Sequence, residues 1–298
     1  MKFSISRRIV VLVLSWAIAG PAGAGEAAAA SAAFLHARYV ASEARLGRNQ
    51  FQRPLVLDSR ETPSAVAGDI HALVRSPFET AAAALGTPAD WCDILLLHLN
   101  TKSCRVAGTG PGTVLTVWTG SKHDQPIAEA SRVDLSFRVS ARSADYLRVE
   151  LHADSGPMGT RDYRITLEAI PLETGETFIH LAFSNAYGSL GRLAMQAYFA
   201  TAARDRIGFT VLDTLPDGRR RHVGGVRGAV ERNVMRYYLA IESYLGALSG
   251  SPQARFEKRI HSWYEASERY ARQLHEIEQG AYLDLKRKEN ARRQAGPA

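Results

Sequence analysis

The sequence predicts an α+β fold in which an antiparallel sheet carries helices on its apolar face. Between Ser131 and Tyr187, four consecutive runs alternate apolar and polar side chains and are joined by short turns. This pattern indicates an antiparallel meander with one dry face and one wet face. From Val226 to Leu248, apolar residues recur at helical spacing and predict a helix long enough to cover the dry face.

The wet face of the predicted sheet includes one histidine of interest. His180 stands on the parity opposite Ile179 and Leu181, so we favour a side chain directed outward. The alternative is a bulge that turns His180 toward the dry face. The positions expected on the dry face are Val133, Leu135, Phe137, Val139, Leu147, Val149, Leu151, Tyr163, Ile165, Leu167, Ala169, Ile179, Leu181 and Phe183.

The chain begins with the pattern of a secretory signal peptide. Basic residues precede the apolar run Ile9–Ala19, and small residues follow at Ala22–Ala24. The run is short for a membrane span, and an uncleaved anchor is the alternative. We therefore expect that residues 1–24 are removed during export, that the mature chain begins at Gly25, and that the protein is periplasmic.

The segment between the signal peptide and the helices contains weaker signals. The Ala-rich stretch Glu26–Ala33 is compatible with a loose N-terminus or with the start of a helix that runs to Leu46. Two strands are predicted next, at Leu55–Leu57 and at Ser64–Arg75. A glycine inside the second strand, Gly68, indicates a bulge or a bend.

Two short helices with clear start signals follow these strands. Ser76 as N-cap, Pro77 in the first turn and Glu79 three residues after the cap form the pattern of a capping box. Thr87 and Pro88 repeat the cap and first-turn signals for a second helix immediately afterwards. We therefore expect two short, closely joined helices.

Cys92 and Cys104 are the two cysteines of the chain. In an exported protein such a close pair suggests a disulfide, with Cα atoms within ~7 Å. The alternatives are two reduced thiols or half of a metal site. Because no Cys/His pair at ligand spacing accompanies the cysteines, the sequence predicts no metal and no cofactor.

The C-terminal part is predicted to be mostly helical. Helical spacing from Leu190 to Thr201 predicts one helix, and the turn sequence Leu215–Gly218 predicts a hairpin after it. A heptad stripe from Phe256 to Ala281 predicts one long helix packed along the body. The basic run Lys286–Arg293 is expected to form a frayed end, which offers a candidate for peripheral contact with a membrane.

Charge and motifs argue against several functions. The net charge is +7, of which three positive charges lie in the signal peptide, and this balance does not indicate a nucleic-acid partner. Gly108–Gly112 precedes a predicted strand and no helix, so it is not a dinucleotide fingerprint. Asp154–Pro157 matches a serine-protease nucleophile stretch only in part and is interpreted as a turn. No catalytic residue is predicted.

The order of strand, two capped helices, meander and long helix resembles the START-like superfamily, also called SRPBCC. The likeness is carried by Ile70–Glu79 and continues to Leu85, Pro88 and Trp91. It implies a helix-grip fold, in which a curved antiparallel sheet wraps around a long helix, here with extra C-terminal helices. The departures are the signal peptide and the helix and hairpin inserted before the long helix.

This resemblance divides the chain into four parts. Residues 1–24 are the signal peptide and residues 25–50 an N-terminal extension. Residues 51–250 form the START-like helix-grip domain, and residues 251–298 a C-terminal helical extension.

The resemblance also implies an apolar cavity between the sheet and the helix that holds lipids, sterols or polyketides. We therefore expect non-catalytic binding or carriage of a hydrophobic small molecule or lipid. The alternatives are an enzyme of the same fold, a cyclase or hydrolase, or an envelope interaction protein with a filled core. A cavity of ~300 Å³ or more would separate the first two from the third. The candidates to line the cavity are Phe137, Ile165, Leu181, Phe183, Tyr198 and Tyr237.

Five further polar residues have structural interpretations. Asn185 and Tyr187 would lie at the mouth of the implied cavity, with turn chemistry as the alternative. His98 is expected to be partly buried with its hydrogen bonds satisfied. Arg227 and Glu231 stand four residues apart and are expected to form an ion pair at the surface or the cavity rim.

Overall fold

The structure, a computed structural model, describes residues 24–201 and 203–295. The predicted signal peptide thus lies outside the described residues, save for Ala24, and cleavage and export stay predictions. None of the helices in the described part of the chain combines the length and the hydropathy that a membrane span requires.

Eight strands form one sheet, antiparallel at every pairing. Their order is β1-β2-β8-β7-β6-β5-β4-β3, so the first hairpin pairs with the last strand of the meander. The predicted meander is therefore confirmed. The bounds are β1 (Leu55–Glu61), β2 (Ala65–Val74), β3 (Thr101–Ala107), β4 (Val114–Thr119), β5 (Ser131–Arg142), β6 (Leu147–Ser155), β7 (Thr160–Pro171) and β8 (Thr177–Tyr187). A separate hairpin consists of β9 (Val211–Thr214) and β10 (Arg220–His222).

The helices cover both faces and one edge of this sheet. Their bounds are α1 (Ala24–Gly47), α2 (Phe78–Leu85), α3 (Pro88–Leu97), α4 (Ser189–Ala200), α5 (Gly225–Leu245), α6 (Pro252–Glu268), α7 (Ala271–Leu274) and α8 (Gln279–Gln294). Helix α5 packs against β1, β2 and β8, while α3 and α8 pack against β3. The predicted α+β helix-grip architecture, with its extra C-terminal helices, is confirmed.

Gly68 is not the site of a bulge, because the pairing of β2 with β8 runs through it without a register shift. A Cβ atom at Gly68 would lie 3.1 Å from Cγ1 of Val234 and 3.5 Å from the carbonyl oxygen of Val230. Both residues belong to α5. The glycine therefore allows the long helix to approach the sheet closely.

The predicted helix starts are correct in position but wrong in mechanism. Helix α2 begins at Phe78 with Pro77 at the N-cap position, so Ser76 lies one residue too early to cap it. Thr87 is the N-cap residue of α3, but its hydroxyl donates to the carbonyl oxygen of Ala83 at 3.0 Å. The cap signals therefore predict where the helices begin, but neither Ser76 nor Thr87 forms a capping hydrogen bond with its side chain.

Helix α1 covers the outer face of the sheet. The Ala-rich stretch Glu26–Ala33 is therefore the start of a helix, and the alternative of a loose N-terminus is wrong. This helix contacts β1, β2, β5 and β7. The small side chains of Ala28 and Ala32 pack with Leu35 of the same helix in a second apolar core. The other buried members of this core are Leu46, Val56, Tyr146, Ile170 and Phe178.

The predicted long C-terminal helix is wrong, since three helices replace it. Helix α6 ends at Glu268, and Tyr270 has a backbone conformation outside the helical region (φ −119°, ψ 39°). The break lets the Tyr270 hydroxyl donate to the carbonyl oxygen of Phe51 at 3.0 Å. Helix α8 then folds back so that Tyr282 stacks on Trp263 of α6, with ring centroids 4.9 Å apart.

The basic run in α8 is also not frayed, because the helix continues to Gln294. Lys286 is fully buried, and Arg292 and Arg293 form ion pairs with Asp124 and Asp93. Contact of this segment with a membrane stays a prediction, but most of its cations already have partners inside the protein.

Cys92 and Cys104 form a disulfide with a Cα–Cα distance of 5.2 Å. The bond links α3 to β3, as the close spacing of the pair suggested. The two alternatives, reduced thiols and half of a metal site, are therefore wrong. Within residues 24–201 and 203–295 there is no cluster of three or more side chains suited to a metal ion.

Candidate functional site

A cavity of about 220 Å³ lies between the sheet and the helices α4 and α5. Its lining is mainly apolar, with polar contributions from Tyr163, Asn185 and Asn233. Larger clefts also exist, among them one of about 450 Å³ beside α1 and one of about 330 Å³ between the ends of β2 and α5, but arginines and polar side chains supply much of their lining. The residues that line the cavity are Val66, Pro157, Thr160, Tyr163, Phe183, Asn185, Met195, Tyr198, Val226, Ala229, Val230 and Asn233.

Two of the six predicted lining residues, Phe183 and Tyr198, lie in this cavity wall. Phe137, Ile165 and Leu181 are instead buried in the continuous core. The sequence pattern identified the dry face correctly, but it carries no information on where packing along that face is incomplete.

Tyr237 lies beside the cavity and is absent from its lining. Its ring packs between His98 and Phe183, with centroid distances of 5.2 Å and 5.6 Å. Burial raises the pKa of the Tyr237 hydroxyl, which keeps it protonated. This residue therefore joins the cavity wall to the interior around His98.

A register shift in β7 positions Tyr163 in the cavity wall. The pairing of β7 with β8 shifts between Arg161 and Arg164, and Asp162 has a positive φ of 51°. A Cβ atom at Gly156 would collide with the Tyr163 ring, so glycine is needed there. Burial raises the pKa of Tyr163, and its hydroxyl accepts a hydrogen bond from Thr160 at 3.1 Å.

Asn185 lines the cavity as the resemblance implied, whereas Tyr187 has a structural role. The Tyr187 hydroxyl donates to the carbonyl oxygen of Thr62 at 3.1 Å. That bond fixes the end of β8 to the turn before β2, which is the turn chemistry given as its alternative.

A group of cations, here called the cationic cluster, lies next to the cavity and consists of Lys122, Arg206, Arg232 and Arg236. Glu276, from the segment between α7 and α8, is the carboxylate at its centre. Arg206 Nη1 lies 2.5 Å from both carboxylate oxygens, Arg236 Nη2 lies 3.0 Å from Oε1, and Lys122 also donates to Glu276. Burial opposes ionisation of Glu276, but these cations lower its pKa.

Arg232 is the least compensated member of the cationic cluster. It is buried, and its Nη1 donates to the carbonyl oxygen of Ile207 at 3.0 Å. In the described part of the chain, no carboxylate forms a direct ion pair with Arg232. Burial, and then the charge of Arg236, lowers the pKa of Arg232 to about 10.

Two buried donors beside the cluster form no hydrogen bond of good geometry within the described residues: Nε of Arg236, and Nε2 of His98, which has only a weaker contact with the Asn233 side chain. Nδ1 of His98 accepts from the backbone N–H of Asn100 at 3.2 Å, so the proton of the neutral ring lies on Nε2. Burial, and then the charges of Arg236 and Lys286, lowers the pKa of His98 to about 3. His98 is thus buried, whereas partial burial was expected, and only its Nδ1 has a hydrogen bond of good geometry.

A different charged group occupies the outer face of the sheet around His180. The ring is directed outward, as predicted, with Nε2 3.1 Å from Asp69 and Nδ1 2.9 Å from Glu168. Burial opposes the charge of His180, but the two carboxylates raise its pKa to about 9. The ring stacks on His71 at 4.4 Å, and burial and the charge of His180 lower the pKa of His71 to about 4.

Glu231 is not part of a surface ion pair, since it is fully buried. Its Oε2 accepts from the backbone N–H groups of Phe209 and Thr210 at 2.6 Å and 2.9 Å. Arg227 Nε is 4.0 Å away, at the limit of an ion pair. This carboxylate therefore fastens the segment before β9 to α5, a long-range contact that the spacing of four residues does not reveal.

A fully buried group at the β3 edge was also not predicted. Glu289 accepts from Lys102 at 2.9 Å and from Lys286 at 2.7 Å. The remaining bonds go to backbone carbonyl oxygens: Lys102 donates to His123, and Lys286 donates to His98 and Thr101. These bonds fasten α8 to β3.

Solved structures with similar architecture include norcoclaurine synthase from Thalictrum flavum, with 13% identity and a TM-score of 0.34 over 49% of this chain and 90% of that one. A human StAR-related lipid transfer protein matches with 11% identity and a TM-score of 0.30, over 59% of this chain and 92% of that one. An aromatase/cyclase from a Streptomyces species matches with 11% identity and a TM-score of 0.31, over 50% and 87%.

At identities of 11–13% and TM-scores of 0.30–0.34, these neighbours carry no argument about the family of this chain. No family model matches the chain. No curated protein matches it. With TM-scores below 0.5, the function must be argued from the side chains of this chain.

Proposed function

We propose that this protein is a periplasmic, non-catalytic binder of a hydrophobic, lipid-like ligand, and that the ligand enters the cavity between the sheet and α5. The observation that carries the proposal is the cavity itself: a mainly apolar space between the sheet and α5, next to a densely packed core. Pockets for small molecules combine such lining with a few polar groups that orient the ligand. Here Tyr163, Asn185 and Asn233 supply those groups.

The size of the cavity limits what it holds. At about 220 Å³ it is smaller than the ~300 Å³ expected for a drug-sized ligand. The fit is therefore to one ring system or one short acyl segment, with the rest of the ligand extending along α4. Leu193 and Tyr198 on α4 are large apolar side chains exposed to solvent and offer such a surface.

The small volume also favours the second candidate, an envelope interaction protein with a filled core. Phe137, Ile165 and Leu181 pack without a gap in the region where the resemblance implied the cavity. An enzyme of the same fold is the third candidate. The described lining offers tyrosine and threonine hydroxyls and asparagine amides, and no carboxylate or imidazole.

The binding proposal is tested with N-phenyl-1-naphthylamine, a neutral fluorophore that brightens in apolar surroundings. We expect the wild type to bind it, and we expect Ala229→Phe, which places a ring in the cavity, to weaken binding at least severalfold. The matched control is Ala83→Phe, because Ala83 is an exposed helical residue on α2. This control should bind as the wild type does.

Mass spectrometry of lipids that co-purify with periplasmic protein gives a second reading. A bound apolar molecule that is lost from Ala229→Phe and retained by Ala83→Phe supports the carrier. A wild type that neither binds the fluorophore nor retains a lipid contradicts the carrier and leaves the interaction protein.

A further inference from the structure

The cationic cluster has far more donors than acceptors. Three cations, Lys122, Arg206 and Arg236, share the single carboxylate of Glu276, and the fourth, Arg232, has no direct ion pair among the described residues. Buried charges are normally paired, since a cation without a partner loses its hydration without compensation. The surplus of positive charge therefore favours an additional anion at this place.

The buried donors without a hydrogen bond of good geometry lie in the same place. Nε of Arg236 and Nε2 of His98 belong to side chains that are more than nine-tenths buried. The His98 ring packs on Tyr237, the residue that follows Arg236 on α5, at a centroid distance of 5.2 Å, and the charge of Arg236 helps to lower the pKa of His98. An oxyanion accepts several such donors at once.

The cluster is continuous with the cavity along one side of α5. Ala229 and Asn233 line the cavity, and Arg232 and Arg236 follow at helical spacings of three residues from each. Tyr198, on α4, both lines the cavity and is close enough to Arg232 to affect its charge. A ligand in the cavity thus has a cationic neighbour at one end.

The cluster is also accessible from solvent on one side. The side chains of Arg206 and Lys122 are 38% and 26% exposed, while Arg232 and Arg236 form the buried end. Glu276 lies in the short connection between α7 and α8 and contacts three of the four cations. The Glu276 carboxylate lies where three cations converge, which is also where an anionic group of a ligand would form the most ion pairs.

We propose that the cationic cluster, with His98, binds the anionic head group of an amphipathic ligand, a carboxylate or a phosphate, whose apolar part lies in the cavity. Glu276 is the internal competitor for the same donors. This inference rests on the proposed function and specifies in addition that the ligand carries a negative charge.

The test compares ligands of one chain length by their displacement of N-phenyl-1-naphthylamine from the full-length mature protein. Decanoate and decyl phosphate carry the two head groups, decanol is the neutral analogue, and inorganic phosphate lacks the chain. We expect at least one of the two anions to bind about tenfold or more tighter than decanol, the worth of a charge-assisted hydrogen bond. Whichever anion is preferred identifies the head group.

Variants assign this preference to the cluster. Arg232→Met should abolish the preference for the anion and leave decanol unchanged, while Arg232→Lys should restore much of it. Glu276→Gln should strengthen binding of the anion by removing the competing charge. The matched control is Arg259→Met, because Arg259 is equally buried but pairs with Asp93, away from the cavity.

The outcomes separate this inference from the proposed function. If the fluorophore and decanol bind but neither anion is preferred, the carrier stands and the anion site is wrong. A preference that survives in Arg232→Met also overturns the site. If Arg232→Met does not fold, the comparison in the wild type and in Glu276→Gln decides. If no apolar compound binds, the proposed function itself fails.

Discussion

Two groups of buried cations, each built around one glutamate, differ in how completely they are paired. Around Glu289, Lys102 and Lys286 direct their ammonium groups at the carboxylate and at three backbone carbonyl oxygens. Around Glu276, three cations share one carboxylate, a fourth, Arg232, lies nearby without a direct ion pair, and Nε of Arg236 has no acceptor among the described residues. The first group fastens α8 to the sheet, whereas the second retains donors for a ligand.

The largest expected effect is on the paired group. Glu289→Ala leaves two buried ammonium groups without their carboxylate, and removal of one partner from a buried pair costs about 3–5 kcal/mol. Urea unfolding should show this loss. The control is Glu257→Ala, which removes a partly exposed pair with Arg287 and should cost about 0–1 kcal/mol. Equal effects in the two variants would mean that the Glu289 group is not a structural fastening.

The packing along α5 provides the next contrast. Leu181 is fully buried on β8, so Leu181→Trp overfills a dense core and should cost about 1–3 kcal/mol. Ala229→Phe should cost less, because the new ring enters the cavity. Thermal and urea unfolding of both variants measure the difference. A tolerated Leu181→Trp would show that the core around β8 is not densely packed.

The third contrast is a pH dependence from the His180 group. The folded pKa of about 9 exceeds the ordinary 6.5, so this pairing stabilises fully below about pH 6.5 and is lost as the pH rises through about 9. His71 and His98 have folded pKa values of about 4 and 3, so both are neutral in the folded protein near neutral pH. Below about pH 6.5 the unfolded chain takes up these protons and the folded protein does not, so stability falls as the pH falls.

Stability should therefore decline on both sides of about pH 6.5. In His180→Gln the decline between about pH 6.5 and 9 should be reduced, which urea titrations across this range measure. An unchanged alkaline slope in His180→Gln would contradict the assignment of that slope to the pairing with Asp69 and Glu168.

The sequence predicted those strands and helices whose positions follow from the local spacing of apolar residues. Strict alternation predicted the meander β5–β8, and helical spacing predicted α5, because burial of one face dictates both periods. The heptad from Phe256 to Ala281 failed because the same apolar residues also suit two helices that fold back on each other. A periodic stripe does not distinguish one long helix from a pair.

The candidate site was largely beyond prediction because its contacts are long-range. Glu276 is 40 residues from Arg236 and 154 from Lys122, so neither local spacing nor a motif brings them together. His180 meets Asp69 and Glu168 through the register of three strands, which the sequence pattern does not specify. Phe183 and Tyr198 were found because apolar strand and helix faces are readable, but the position of the cavity depends on packing.

The central claim is that the unpaired donors of the cationic cluster receive a ligand. Nitrogen-15 NMR of the arginine Nε–H groups during titration with decanoate or decyl phosphate tests it most directly. We expect the Arg236 Nε–H signal to shift as a hydrogen bond forms, while that of Arg259, which already donates to Ala247 at 3.3 Å, stays in place. Saturable binding of either compound with no change at Arg236 or Arg232 would contradict the claim.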